Sequence, residues 1–371
     1  MTQTLRALLI WSSASFVPFG ADAQPTALDS AGDRVALEET EKIGFASGSF
    51  VVAPIPFQSP ALESGLLLGG AYLFQADEAS ESSTLGGAVF RTSNGSEGYG
   101  LGADVALSEN RWKLRFLAAE MDLNYDFFVG NSPLPITQSA RGGLVGLSYG
   151  FSPEFSLGLN LSYADTALAP NLPSLTGALP PDLRPDADLE LGRIGLIGEW
   201  DRRDDTLYPA SGMLASAELI HGTFLNLEDR DYSKAVASAS LYRSILRNEV
   251  FAARVTACAA SEDAPFFDSC ALGQADNFRG YEATRFIGDG LFSVQAEYRG
   301  RISRRFGYVV FAGAGSVGDD FGDAFGGAYR SAAGVGARLR LSRKFPVDYS
   351  IDVSGNEEGE GLLYVSVGQR F

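Results

Sequence analysis

After its first two dozen residues, the chain has no run approaching the ~18–20 consecutive apolar residues that a membrane-spanning helix needs. Lysine is scarce, with four among 371 residues, and acidic groups outnumber basic ones 46 to 29, giving a net charge of −17. Phosphate binding requires a basic surface, so this balance argues against nucleic acid as a partner. One histidine, His221, and two cysteines, Cys258 and Cys270, leave no zinc-ligand spacing. No phosphate-cradling loop or dinucleotide fingerprint is present, so neither metal nor cofactor is expected. The aspartate clusters Asp319-Asp320-Asp323 and Asp204-Asp205 lack the twelve-residue frame of a calcium loop and read as solvated acidic loops. Gly146 to Gly150 matches Gly-x-Ser-x-Gly around Ser148, but hydrolase chemistry needs a strand-to-helix elbow and a histidine base. Ser148 lies inside an alternating strand, so the match reads as coincidence, no catalytic residue is expected, and an enzyme is the class least favoured.

The amino terminus is richer in information. Arg6 precedes the apolar run Ala7 to Trp11, and Ala21-Asp-Ala23 supplies the small-x-small cleavage pattern before Gln24. Residues 1–23 therefore read as a cleaved export signal, and the acidic residues 24–43 as a periplasmic linker. An exported chain permits a disulfide, and Cys258 and Cys270 bracket the acidic, aromatic segment 259–269. A bridge there staples the root of a long loop; two free thiols are the alternative.

From Gly44 onward the chain alternates apolar and polar residues in long segments. Strands are predicted over 44–54, 64–77, 82–93, 97–108, 110–127, 137–150, 153–167 and 187–201. They continue over 212–225, 232–245, 249–260, 290–303, 307–317, 328–342, 346–354 and 361–371. Strands of soluble sandwiches are commonly ~5–6 residues, whereas membrane-crossing strands need ~9–11. Tight links at 108–110, 151–153, 246–248 and 303–305 alternate with long ones at 130–137, 169–187, 225–232 and 261–290. Short turns on one side and long loops on the other are the habit of outer-membrane barrels. In 361–371, Leu363, Val365, Val367 and Phe371 face one way, and Tyr364, Ser366 and Arg370 the other. Arg338 and Arg340 share one face of their strand, as Asp348 and Asp352 do of theirs. A basic residue on lipid costs up to ~2–4 kcal/mol at the midplane, so these charges are expected to line the lumen. The fold class is an all-β, antiparallel transmembrane barrel of about sixteen strands over 44–371, with a long lumen-folding loop before strand twelve. The competing architecture is a soluble, exported β-sandwich.

That loop carries Phe278-Arg279-Gly280-Tyr281 and leads into 291–299, where Phe292, Val294, Ala296 and Tyr298 oppose Ser293, Gln295, Glu297 and Arg299. An arginine just ahead of such a strand can fold inward and pair with Glu297. The plain alternative is a surface arginine on a mobile loop.

These residues resemble the BamA/TamA-like barrel-assembly superfamily of bacterial surface antigens. Phe278 to Tyr281 resembles the Arg-Gly-aromatic tip of that family's sixth external loop, which implies a structural lock inside the barrel. Asp201, Arg203 and Asp204 with Pro209 and Gly212 resemble the periplasmic hairpin between strands eight and nine. Pro54 and Pro56, with Ser59-Pro60, resemble the entry to the barrel, and Val365, Val367 and Phe371 the C-terminal insertion signal. Gly313 stands where the family carries an aspartate that receives the loop arginine, so the lock must use another carboxylate, with Glu297 the first choice. Gln369 replaces a usual apolar residue, and the family's periplasmic client-receiving domains are not expected in the linker at 24–43. The resemblance implies an outer-membrane location in contact with lipid, and a role in inserting or translocating proteins or lipids. Client outer-membrane proteins, or a separate periplasmic subunit, are the implied partners. A passive pore or structural surface antigen with a plugged lumen is the alternative.

Overall fold

Period-two alternation builds a wall with two dissimilar faces. The computed structural model describes residues 44–45, 48–77, 80, 82–130, 132–171, 183, 186–205, 208–246, 249–274, 278–340 and 348–369. The expected export signal, the linker at 24–43 and Phe371 lie outside the described residues. The first half of the wall is β1 (Ser49–Ser59), β2 (Glu63–Gln75), β3 (Ser82–Thr92), β4 (Glu97–Leu107), β5 (Trp112–Val129), β6 (Ser132–Gly150), β7 (Phe155–Pro170) and β8 (Asp188–Asp201). The second half is β9 (Gly212–Phe224), β10 (Asp231–Leu246), β11 (Glu249–Ala260), β14 (Gly290–Arg301), β15 (Phe306–Gly318), β16 (Arg330–Arg340), β17 (Asp348–Asn356) and β18 (Gly361–Val367). Two short strands, β12 (Cys270–Leu272) and β13 (Phe286–Gly288), form a hairpin within the long loop. Each wall strand pairs antiparallel with its chain neighbours, and β1 meets β18 to close a barrel of sixteen strands.

The outward face is apolar in a defined band. Trp112, Phe151, Phe155, Trp200 and Phe306 stand exposed at one end, beside the short turns. Leu114, Phe116, Leu147, Leu159, Leu196 and Val310 follow above them. The band ends at a belt of charges facing each other across the ladder: Arg91 opposite Glu97, Glu120 opposite Arg141, and Arg141 opposite Asp165. Arg141 pairs with Asp165 at 2.6 Å, and Tyr99 donates to Glu120 at 2.6 Å. On β5 the band runs from Trp112 to Glu120, about 20 Å along the axis for ~3.3 Å per residue and a tilt of ~40°. Exposed leucines between an aromatic rim and a charged belt suit lipid and not water.

Two expectations need correction. The first strand spans 49–59 rather than 44–54, so Pro54 and Pro56 lie inside β1, opposite Leu68 and Leu66 of β2. Residues 44–45 instead lie against β2: Phe45 packs edge-on against Tyr72 and Phe74, at ring-centroid distances of 5.2 Å and 5.1 Å. Proline has no N–H for a ladder and is confined to sheet edges. β1 is such an edge: among the described residues it pairs with β18 at one position, Gln58 opposite Val365. The second correction concerns 130–137, expected as a long loop. The β5–β6 pairing continues to Val129 opposite Ser132, with Pro133 and Pro135 within β6. These prolines lie beyond Ile136, where β7 begins to pair with β6, and the Pro135 carbonyl there accepts the Asn171 N–H at 2.8 Å, a contact that asks no donor of the proline.

Leu159 lies midway along the outward face of β7, with Phe155 and Asp165 marking the two limits of the band. Replacing Leu159 with Arg is expected to cost ~2–4 kcal/mol of folding free energy in lipid vesicles, measured by denaturant titration. An unchanged midpoint would mean that this face does not meet lipid.

Candidate functional site: the loop locked in the lumen

Residues 261–274 and 278–289, between β11 and β14, pass into the barrel and are tied at successive depths. At the root, Cys258 of β11 and Cys270 of β12 form a disulfide. Near the outer mouth, the Phe266 N–H donates to Asp186 at 2.9 Å, and the Thr284 hydroxyl donates to the Asp126 carbonyl at 2.6 Å. Arg285 pairs with Glu358 and Glu360 in the turn joining β17 to β18. Asp268 is wholly buried and pairs with Arg193 at 2.9 Å and Lys234 at 3.1 Å, while Tyr232 donates to it. Burial opposes its charge, but Lys234 and Arg193 prevail and hold the carboxyl below its ordinary range.

The tip is the most tightly held part. Arg279 is fully buried, as are Glu297 and Asp352 to within one percent. Its Nη2 donates to Glu297 at 2.7 Å, Nη1 to Asp352 at 2.9 Å and Nε to the Gln295 side-chain oxygen at 2.9 Å. The guanidinium also lies 3.8 Å from the centre of the Phe311 ring. Two carboxylates, an amide and a π-face satisfy the planar fork of donors that arginine offers.

Backbone conformation aims the side chain. Gly280 has φ +130°, and a Cβ there would fall on Ala332, so glycine is required. Its N–H donates to the Tyr364 hydroxyl at 3.0 Å, and its carbonyl accepts from Asn356 at 3.0 Å. Phe278 and Tyr281 are fully buried and stack at 6.1 Å. The Tyr281 hydroxyl donates to the Ser331 carbonyl at 3.1 Å.

Gly313 has a steric reason. A Cβ on it would lie 2.5 Å from the Val294 carbonyl oxygen and 2.8 Å from the Phe278 ring. The space beside the strand is filled by the loop's own phenylalanine. The carboxylate therefore comes from elsewhere: Glu297, named from the sequence, and Asp352, which was not. Alternation had placed Asp352 on the inward face, but nothing in the sequence links it to an arginine 73 positions earlier.

Below the tip the charges continue toward the short-turn end. Asp352 also receives Arg338, whose Nε donates to Gln369 at 3.2 Å. Gln369 donates to Asp348 at 2.7 Å, and Asp348 pairs with Arg301 and Arg340. The Gln369 side chain thus bridges two charged groups, which the apolar residue usual in the family has no means to do. Glu297 also lies 3.4 Å from Arg299, which donates to the Pro209 carbonyl in the hairpin between β8 and β9.

That hairpin is built from the residues expected to matter in it. Arg203 pairs with Asp201 at 2.7 Å, and Asp204 accepts from the Ala210 and Ser211 N–H groups at 2.9 Å and 3.0 Å. Gly212 has φ +104° and passes against the Arg202 carbonyl, where a Cβ has no space. Val365 and Val367 lie on the outward-facing parity of β18. Ser148 faces inward on β6 and His221 outward on β9, so the wall separates them.

If Gly313 excludes a side chain because Phe278 needs the space, restoring an acid there must harm the lock. Gly313→Asp is expected to cost about 1–3 kcal/mol through overpacking and to lower the temperature at which the folded barrel loses its compact gel mobility. A mutant as heat-resistant as the parent, or more so, would contradict the steric account.

Comparison with known proteins agrees with this architecture. No curated protein matches the chain. Among solved structures, BamA from Haemophilus ducreyi lacking POTRA domains 1–3 superposes with a TM-score of 0.61 at 13% identity, over 86% of this chain and 70% of that one. CdiB from Escherichia coli gives 0.56 at 11% identity, over 92% of this chain and 70% of the other. CdiB from Acinetobacter baumannii gives 0.55 at 10% identity, over 86% and 59%. At such identities the likeness speaks for the fold alone. The family model for the Omp85 superfamily domain matches residues 87–371, and the chain therefore belongs to the Omp85 superfamily.

Proposed function

We propose that this barrel sits in the outer membrane and inserts or translocates polypeptide clients there, using the seam between β1 and β18. The observation that carries the reading is the disparity in pairing around the wall. β1 pairs with β2 continuously from Ser49 opposite Leu73 to Ser59 opposite Glu63, whereas among the described residues it pairs with β18 at the single position Gln58 opposite Val365. An edge with unpaired N–H and C=O groups is a template for strand addition. Pro54 and Pro56 keep the β1 edge from closing into a regular ladder. The locked loop holds the strands on the other side of the seam, through Asp352 and Asn356 of β17 and Tyr364 of β18. One flank is thus braced while the other is left weakly joined.

The second reading is a passive or structural barrel whose lumen is plugged by the loop. The fully buried Arg279, Phe278 and Tyr281 favour it, because they fill space that an open pore would need.

The two readings separate when the seam is closed covalently. Gln58→Cys with Val365→Cys, oxidised, is expected to fail to restore the outer-membrane protein profile of a strain lacking the chain, and to restore it when the cysteines are reduced. Full restoration with the seam closed, or an unchanged profile in the strain lacking the chain, would overturn the insertion reading in favour of the plugged barrel.

A further inference from the structure

We infer that the short-turn rim between β10 and β15 gathers anionic phospholipid headgroups through Arg243, Arg304 and Arg305. Arg243 lies three residues before the end of β10, on the outward parity it shares with Leu241 and Ile245. Arg304 and Arg305 lie in the turn joining β14 to β15. The two places are neighbours on the wall, because β10, β11, β14 and β15 pair in that order. All three arginines are exposed, and among the described residues none of them makes an ion pair.

The first observation is the sign of the charge. The chain carries −17 overall, yet the segments 243–249 and 298–308 contain a single acid, Glu249. That carboxylate accepts from the Tyr298 hydroxyl and, at 3.5 Å, from the Tyr308 hydroxyl. Residues 247–248 and 341–347, outside the described residues, contain no acid either. On the opposite sector of the rim, acids accompany the arginines. Arg202 pairs with Glu154 at 3.4 Å, and Arg111 follows Glu109 in one turn.

The second, independent observation is the company these cations keep. Arginines on a plain solvated face need no partner, but here large apolar side chains stand exposed beside them. Ile245 is 52% exposed, Leu246 63%, Ile302 76% and Phe306 58%. Apolar groups that continue the lipid-facing band, interleaved with guanidiniums, match the depth where acyl chains give way to phosphates. An arginine stem lies along such a surface and carries its charged head to the headgroups. An acidic soluble protein would meet the charges and leave the apolar skirt uncovered. The turn presents its arginines from a fixed backbone. The Ser303 hydroxyl accepts the Arg305 and Phe306 N–H groups at 3.3 Å and 3.1 Å, and the Arg305 carbonyl accepts the Arg340 N–H at 2.8 Å.

The test reads lipid contact at this rim alone. Phe306→Trp is placed in the full chain with Trp11, Trp112 and Trp200 changed to phenylalanine, and the barrel is refolded into vesicles. Quenching by brominated phosphatidylglycerol is compared with quenching by brominated phosphatidylcholine, and a chain keeping Trp112 alone reports the opposite sector. At 0.1 M salt the anionic lipid is expected to be preferred at least about fivefold at position 306 and not at Trp112. The preference is expected to fall toward one in 0.5 M salt, and when Arg243, Arg304 and Arg305 are all changed to glutamine. Equal quenching by the two lipids at position 306 overturns the inference, and that comparison needs none of the arginine variants to fold. So does a preference that survives in the triple variant with unaltered heat-modifiable mobility. Equal quenching together with binding of soluble polyglutamate, lost in the triple variant, overturns it in favour of an acidic protein partner. The inference needs the outward band to face lipid and does not need the seam to open, so its failure leaves the insertion reading untouched.

Discussion

A single buried guanidinium organises the outer half of this barrel. Arg279 is held by Glu297 and Asp352 on two strands that are not neighbours, with β15 and β16 between them, and it lies against Phe311 on β15. The interaction therefore joins a quarter of the wall to the tip of one loop. Burying three charges carries a desolvation cost that only near-complete hydrogen bonding offsets. The Arg279 fork and both Asp352 oxygens are hydrogen-bonded, while Glu297 Oε1 makes no hydrogen bond and lies 3.4 Å from Arg299. Gly280 is glycine because the chain turns back against Ala332, and Gly313 is glycine because Phe278 occupies the space beside it.

The rest of the loop follows from that fixed point. The disulfide shortens the free chain between wall and tip, and the β12–β13 hairpin gives its middle a ladder of its own. Asp268 pins the opposite side of the loop to β8 and β10, so the plug is tied to both halves of the barrel. What remains lightly held is the seam. The strands flanking it differ in kind: β18 is braced by Tyr364 on the loop backbone, and β1 carries two prolines and, among the described residues, a single registered pair. A structure with one rigid flank and one weak joint localises any opening to that joint.

Much of this was legible in the sequence because period-two alternation is a local signal, and a barrel wall obeys it almost everywhere. Strand β11 was placed to the residue, and the inward charges on β14, β16 and β17 were assigned to the correct face. The misplacements have a common physical origin. The predicted limits at 54 and 137 fall beside prolines, and at Pro54, Pro56, Pro133 and Pro135 the strand continues because an edge requires no donor. The segment around Phe45 alternates like a strand but spends its aromatic ring on the outside of β2. The lock was half legible. Glu297 follows Arg279 closely in sequence, while Asp352 and Tyr364 reach it only through closure of the barrel. Gln369 looked like a defect in an apolar signal and is a bridge between Arg338 and Asp348.

The central claim is that Arg279 and its carboxylates form one energetic unit. A double-mutant cycle on Arg279→Ala and Glu297→Gln, read from denaturant unfolding in lipid vesicles, tests it most directly. The single arginine mutant is predicted to lose about 3–5 kcal/mol because it strands buried charge, and the pair to lose clearly less than the sum of the two singles. Additive losses, with protease resistance of residues 261–289 unchanged in Arg279→Ala, would show that the loop is held by other contacts and that the arginine is incidental.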